Sequence, residues 1–366
     1  MKGYFTNGAL PETISTPLSK KLIKAVVWDL DNTLWDGTLI EDKDVKLRED
    51  AVEIVRTLDH RGILQSIASK NDADLALAKL EELGIRDYFL HPQIHWNSKT
   101  ISLKNIAQSL NIGIDSLAFV DDQRFEREEV QFSSPEVVCI DALKLDGMLE
   151  MPELNPRFIT DDSKNRRRMY ISDQSRQQAE DMFLGTAEEF LASLDMVLTI
   201  SAAKEEDLKR AEELTIRTNQ LNSTGRTYSF DELNHFRESP HHLLLICSLE
   251  DKYGGYGNIG LALVESFQEH LTIKLLLLSC RVMSRGIGTI LISHIMNLAK
   301  SRNKSLYAEF LPNERNRAMY VTYKFSGFRE ERNIDGLQIL ANDLSVIRPF
   351  PGYMKVQIQN NDCFSI

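Results

Sequence analysis

Four cysteines in 366 residues (Cys139, Cys247, Cys280 and Cys363) show neither the paired spacing of a zinc site nor a disulfide framework, so reduced thiols are expected. No apolar run approaches a membrane span. The N-terminus also lacks the charged-then-apolar order of a secretion signal, and a cytoplasmic location is the expectation. Basic residues are outnumbered as well, 43 Lys and Arg against 54 Asp and Glu. A net charge of −11 and a pI near 5.3 argue against a general nucleic-acid binder, which needs a cationic footprint. Neither nucleic acid nor membrane is therefore an expected partner. Internal repeats and low-complexity segments are missing too, and Cys363-Phe364-Ser365-Ile366 fails as a prenylation box because Phe and Ser stand where aliphatic residues belong.

The composition that remains, 42% hydrophobic and 27% charged, is that of a globular protein long enough for two cores. Five divisions are expected: an N-terminal extension 1–20, a first domain 21–150, a linker and helix 151–192, a second domain 193–350 and a C-terminal tail 351–366. Met151-Pro152-Glu153-Leu154-Asn155-Pro156 supplies the break between domains, because two prolines interrupt regular structure. Arg166-Arg167-Arg168, in a very polar stretch from Asp161 to Glu180, is expected on a solvated helix face.

The most informative pattern is Asp29-Leu30-Asp31-Asn32-Thr33, directly after the apolar strand Ala25-Val26-Val27-Trp28. Two carboxylates one residue apart point to opposite sides of an extended chain, so they converge only if the backbone turns at once. With the turn made, Asp29 can attack phosphorus while Asp31 exchanges a proton with the leaving group, and Thr33 orients Asp31 or the phosphate. Turn chemistry alone is the competing reading, since Asp and Asn favour turns. Three further features favour catalysis. A strand from Ile63 to Ala68 ends at Ser69-Lys70-Asn71, where a hydroxyl can hold a phosphate oxygen. A helix follows, capped by Asn71 or Asp72, with Leu75, Ala76, Leu80 and Leu83 on one face and a stop at Gly84. Lys99 then offers a point charge for a phosphoryl group. Last, the strand Leu117-Ala118-Phe119-Val120 ends in Asp121-Asp122, which with Asp29 can supply oxygen ligands for Mg²⁺.

These four features, in this order, resemble the four motifs of the haloacid dehalogenase (HAD) phosphatase superfamily. The resemblance implies Asp29 as the nucleophile, Asp31 as the acid/base that also offers its backbone carbonyl to Mg²⁺, Ser69 and Lys99 as phosphate ligands, and Asp122 (or Asp121) as the acidic metal ligand. The intervals after the first and second motifs leave no room for a cap domain, so an open site is expected.

In the second half, a strand from Leu271 to Leu278 leads through Ser279-Cys280-Arg281-Val282-Met283-Ser284-Arg285-Gly286-Ile287-Gly288 into a helix with Ile287, Ile290, Leu291, His294, Ile295 and Leu298 on one face. A glycine-bearing turn at a helix start presents free N–H groups, a seat for pyrophosphate. The turn resembles the acyl-CoA loop of GNAT-type acyltransferases, although Met283 stands where that pattern has Arg or Gln. A phosphopantetheine arm on a carrier protein can use the same groove. Cys280, at the end of the strand, suits an acyl-accepting thiolate; the alternative is a buried cysteine acting as a small hydrophobe. His294 reads as a packed helix residue, and no base is assigned.

The whole chain resembles the FkbH-like proteins of HAD subfamily IIIC. Matching stretches are Asp29 to Trp35, Asp121-Asp122 with Glu126-Arg127, Thr218-Asn219-Gln220-Leu221-Asn222, Tyr253-Gly254-Gly255-Tyr256-Gly257, Ser279-Cys280-Arg281 and Phe310-Leu311-Pro312. After Asp121-Asp122 this chain has Gln123-Arg124-Phe125 where the family has Asn-Pro. The fold this implies is α/β: a capless HAD-type Rossmannoid parallel sheet plus a GNAT-like mixed α/β domain. The implied activity is a glyceryltransferase/phosphatase that takes 1,3-bisphosphoglycerate, or a related acyl phosphate, and delivers a glyceryl unit to an acyl carrier protein. Mg²⁺ and the carrier's phosphopantetheine arm would be its cofactors. Asn219, Gln220, Asn222, Arg281, Arg285, Gly286 and Gly288 are the candidate contacts for substrate or arm. A phosphatase with an acyl-CoA-type N-acyltransferase domain and a carrier-docking scaffold remain as alternatives.

Overall fold

The computed structural model describes residues 22–42 and 44–359; the N-terminal extension 1–20 and Cys363 lie outside them. Five short apolar runs form the first sheet: β1 (Ala25–Trp28), β2 (Leu64–Ser69), β3 (Gln93–Ile94), β4 (Leu117–Asp121) and β5 (Val138–Asp141). They pair in parallel in the order β3-β2-β1-β4-β5. Strand β1 is buried on both faces, as a parallel sheet covered by crossover helices requires. Its Val26 and Trp28 pack with helices Glu49–His60 and Ala73–Glu82, while Ala25 and Val27 pack with Lys99–Ser109 and Arg124–Ser133. Among the described residues, a hairpin, Trp35–Asp36 against Lys46–Leu47, and one helical turn are all that stand between motif one and the first of these helices, which leaves no cap domain in that interval. Asp72 caps its helix by accepting from Leu75 N–H, and Gly84 ends it at φ +70°. Leu75 departs from the sequence reading: it is exposed, because the buried stripe runs through Ala76 and Leu80.

The second sheet comprises β6 (Met196–Ala202), β7 (His242–Asp251), β8 (Gly254–Ser266), β9 (His270–Leu278), β10 (Ser305–Phe310), β11 (Arg329–Ile334), β12 (Leu337–Asn342) and β13 (Met354–Gln359). Their order is β11-β12-β10-β9-β8-β7-β6-β13. Within the expected tail, Met354–Gln359 is thus an edge strand parallel to β6. Helices Leu208–Arg217 and Phe230–Glu238 cover one face and Ile287–Ser301 the other. This is the mixed α/β, GNAT-like layout. Strands β9 and β10 are parallel only from His270 to Ile273 and then diverge. Lys274 and Glu309 pair at the fork, 2.5 Å apart.

The segment between the domains overturns one expectation. Helix Arg166–Asp181 turns Arg168 to water as expected, but not Arg166 or Arg167. Arg166 is buried, donates to the Gly62 carbonyl at 2.8 Å and pairs with Glu213. Arg167 pairs with Asp59 at 2.9 Å, and Arg176 pairs with Asp251 at 2.7 Å and stacks on Tyr256. One helix therefore ties the first sheet's helices to the second domain. Burial opposes charge on Glu213, but Arg166, Arg210 and Arg217 outweigh it and hold the carboxyl far below its ordinary range. Among the described residues no helix is long and apolar enough to cross a membrane.

Candidate functional site

The order β3-β2-β1-β4-β5 reverses at β1, and ligands of such sheets bind at the carboxyl ends of the strands flanking that reversal. Asp29 follows β1, and Asp121 ends β4. The turn expected after β1 is present. Asn32 sits at φ +53°, and Leu34 N–H donates to the Leu30 carbonyl at 2.9 Å. That turn swings the Asp31 carboxylate into a three-donor cradle: Trp35 Nε1 at 2.8 Å and the Leu39 amide at 3.1 Å hold one oxygen, and Asn71 Nδ2 at 3.0 Å holds the other. Asn71 and Trp35 were not assigned from sequence. Asn71 lies two residues beyond Ser69 and was read only as a possible helix cap.

Lys99 is buried at the centre, 2.9 Å from Asp29 Oδ1 and 2.5 Å from Asp121 Oδ2. Ser69 donates to the Asp29 carboxylate. Burial pushes the Asp29 carboxyl up, against the pull of Lys99. Burial, with Asp29 beside it, lifts Asp121 to about 7 despite the same lysine. Burial and Asp29 also raise Asp122. One oxygen from each of Asp29, Asp121 and Asp122 lies within 4.8 Å of the others. Three carboxylates against one ammonium leave excess negative charge, and Asp122 Oδ1 is buried without a hydrogen-bond partner. Hard oxygen donors with one unsatisfied lone pair fit a divalent cation such as Mg²⁺. Asp31 is not in this cluster: both its side-chain oxygens are engaged, which leaves its carbonyl as the atom available to a metal.

Thr33 departs from its expected role as a phosphate ligand. It is fully buried, and its hydroxyl accepts from the Asp122 N–H at 3.2 Å, locking the first and last motifs together. The turn after β4 is held by the backbone N–H of Gln123, which donates to Asp121 Oδ1 at 2.8 Å. Arg127 clamps the same loop through the Asp121 carbonyl at 2.7 Å and Asp141 at 3.0 Å.

Cys280 lies elsewhere. It begins a short 3-10 turn after β9 and lines a cavity of about 550 Å³ between the domains. Lys24, Asp115 and Glu136 come to this cavity from the first domain; Arg217, Asn219, Gln220 and Arg315 come from the second. Lys24 precedes β1 and Asp29 follows it. At about 3.3 Å per residue the two lie about 16 Å apart along the strand. The acidic cluster and the thiol therefore occupy opposite ends of one sheet.

Several of the other expected contacts are engaged within the protein itself. Asn222 is fully buried, its oxygen accepting from Thr224 and Gly225 amides and its Nδ2 donating to the Arg226 carbonyl. The segment around it fills the fork between β9 and β10. Leu278 N–H donates to the Leu221 carbonyl at 2.9 Å, Ser223 N–H to Leu276 at 2.9 Å, and Leu311 N–H to Ser223 at 3.0 Å. The backbone edge that an extended arm would need is thus already paired. Gly286 and Gly288 serve packing: a Cβ on Gly286 would meet the Tyr353 hydroxyl at 2.6 Å, and one on Gly288 would meet Leu278 and Thr322 at 3.0 Å. Arg285 is buried, 3.5 Å from Glu180 and over the Phe190 ring. Arg281 donates to the Tyr256 carbonyl at 2.8 Å. His294 is buried within its helix, and burial lowers its imidazole.

The strand order and acidic centre define a HAD-type phosphatase domain, joined here to a GNAT-like one. Human magnesium-dependent phosphatase 1 is 30% identical over 139 residues, which cover 33% of this chain and 78% of that protein. Through its first domain the chain belongs to that family of magnesium-dependent phosphatases. No family model matches the chain. Among solved structures, the N-terminal part of the Bacteroides fragilis protein BF1531, containing a phosphatase domain complexed with Mg, is 27% identical with a TM-score of 0.31. The alignment covers 41% of this chain and 39% of that one, so the chain spans about two fifths of that structure. The ribosomal-protein-S18-alanine N-acetyltransferase of Escherichia coli is 18% identical, with a TM-score of 0.33 over 42% of this chain and 97% of its own.

Proposed function

We propose that the chain is a bifunctional glyceryltransferase/phosphatase that converts 1,3-bisphosphoglycerate to a glyceryl thioester on an acyl carrier protein. The observation that carries the phosphatase half is the buried Lys99 between Asp29 and Asp121, with Asp122 beside them and Asp31 cradled at the turn. In this reading Asp29 attacks phosphorus, a new P–O bond forms to its carboxylate, and the ester P–O bond breaks as Asp31 gives its proton to the departing alkoxide. Water then cleaves the acyl phosphate, with Asp31 taking the proton back. Lys99 and Ser69 hold the nucleophile and the phosphoryl oxygens. Mg²⁺, when held by Asp29, Asp121, Asp122 and the Asp31 carbonyl, neutralises charge on the phosphoryl group.

The transferase half rests on Cys280. Its thiolate attacks the acyl phosphate carbonyl, an S–C bond forms, and the C–O bond to phosphate breaks with the electron pair leaving on phosphate. The carrier's phosphopantetheine thiol then displaces Cys280. Because Leu221–Ser223 fills the fork beside β9, the carrier's arm reaches Cys280 through the interdomain cavity that the thiol lines, not along the strand edge. The separation along β1 also bears on order. An acyl group held on Cys280 cannot reach Asp29, so removal of the ester phosphate acts on the free acyl phosphate before loading or on the carrier-borne acyl group. Incubation with Mg²⁺, 1,3-bisphosphoglycerate and a carrier protein, followed by intact mass of both proteins, tests this. A glyceryl or phosphoglyceryl mass on Cys280 and then on the carrier is expected. No adduct with any acyl phosphate would refute the transferase.

A further inference from the structure

Cys280 needs a group to take its proton, and its cavity contains no histidine among the described residues. A second, smaller cavity shares Lys24, Asn111, Ile112, Arg217 and Cys280 with the first and adds Arg166, Arg210 and Arg281. The thiol thus faces a concentration of cations supplied by both domains. Three features show that these cations are under-matched. Lys24 Nζ donates only to the neutral Arg217 carbonyl, at 2.8 Å. Arg281 Nη1 is buried without a partner. Arg217 is 4.0 Å from Glu213, a carboxylate already shared with Arg166 and Arg210. Against them stand Asp162, 2.7 Å from Arg210, Asp173, which acts on Arg281, Asp115, 3.1 Å from Arg315, and Glu136, which lines the larger cavity.

We propose that this interdomain cavity is an anion-binding site for a small phosphorylated or carboxylated acid, in which Lys24 of the first domain shares the proton of the Cys280 thiol. Neutral Lys24 accepts the Sγ proton, giving a thiolate beside an ammonium, while Arg217 and Arg315 hold the anionic end of the ligand. Burial, with Arg217 next, lowers Lys24 to about 8, so part of it is neutral near neutral pH; burial raises the Cys280 thiol, and the anion-favouring pull of Lys24, then Arg281, opposes that rise. The proposal rests on reading Cys280 as the acyl acceptor, and it explains why that domain is fused to a phosphatase. The phosphatase supplies the amino end of its central strand as one wall of the second site.

The test follows the rate of Cys280 alkylation by iodoacetamide against pH, read by peptide mass on the full chain, with and without inorganic phosphate or 3-phosphoglycerate. Wild-type Cys280 is expected to be protected by either anion. Lys24→Met is expected to slow alkylation at pH 7.5 about tenfold, the effect of one unit on a thiol pKa. Arg315→Gln, at a half-exposed position, is expected to weaken the protection given by either anion. Absence of protection in wild type, or an unchanged pH profile in a folded Lys24→Met, overturns the proposal. If Cys280 is acylated by 1,3-bisphosphoglycerate at equal rates in wild type and Lys24→Met, the proton-sharing falls and the transferase reading stands. If anions protect but no acylation occurs, the anion site stands and the transferase reading falls.

Discussion

The Asp29 centre and the Cys280 centre sit at opposite ends of the same strand and are built in opposite ways. The first is assembled from four short motifs, each at the carboxyl end of one parallel strand or the start of the helix beyond it. The second draws on residues from both domains, scattered between Lys24 and Arg315. A parallel sheet gathers strand ends automatically, so a local pattern suffices to specify the first centre. A cleft between domains has no such rule, and its wall depends on how the interdomain helix docks.

The sharpest way to break this comparison is to remove one nucleophile and watch the other activity. Asp29→Asn is expected to cut phosphate release by more than about a thousandfold, whereas Cys280→Ala leaves release from an aryl phosphate within a factor of two. Loss of phosphate release in Cys280→Ala would join the two centres. Next in size, Asp31→Asn is expected to lower kcat by about 10²–10⁴ while leaving Asp29 able to accept phosphate, read as a burst followed by slow turnover. Both effects confine the chemistry to one end of the sheet.

The interdomain clamp gives a smaller, structural effect. Arg166→Met leaves Glu213 short of a buried partner and is expected to cost about 3–5 kcal/mol by denaturant unfolding. Glu213 has a folded pKa below its unfolded value, so its contribution is present above about pH 4.3 and is lost as pH falls toward the folded value. Glu213→Gln should flatten that acid limb of the stability profile. Finally, Mg²⁺ at a hundredfold its Kd is expected to stabilise the wild type by about 2.7 kcal/mol, and Asp122→Asn to reduce that gain, measured by thermal melts.

What the sequence revealed follows the same division. Strand β1, its carboxylate turn and the last acidic pair were legible because hydrophobic runs ending in charge report both position and role. The contacts of the second domain were less so. Asn222 reads as a polar ligand until Leu221–Ser223 is seen hydrogen-bonded into the fork between β9 and β10. Arg166 reads as solvated because its partners, Gly62 and Glu213, are about a hundred and about fifty residues away. Lys24 carried no local signal, since a lysine before a buried strand is ordinary until the second domain closes over it. Thr33 reads as a phosphate or Asp31 contact for a related reason: its hydroxyl meets the Asp122 amide, a contact that exists only once β1 and β4 lie side by side.

The most direct test of two separate centres is the intact mass of Asp29→Asn after a brief exposure to 1,3-bisphosphoglycerate and Mg²⁺. Independent centres predict an adduct on Cys280 that retains its phosphate. An unmodified Cys280 in this variant, alongside a modified one in the wild type, would contradict the account.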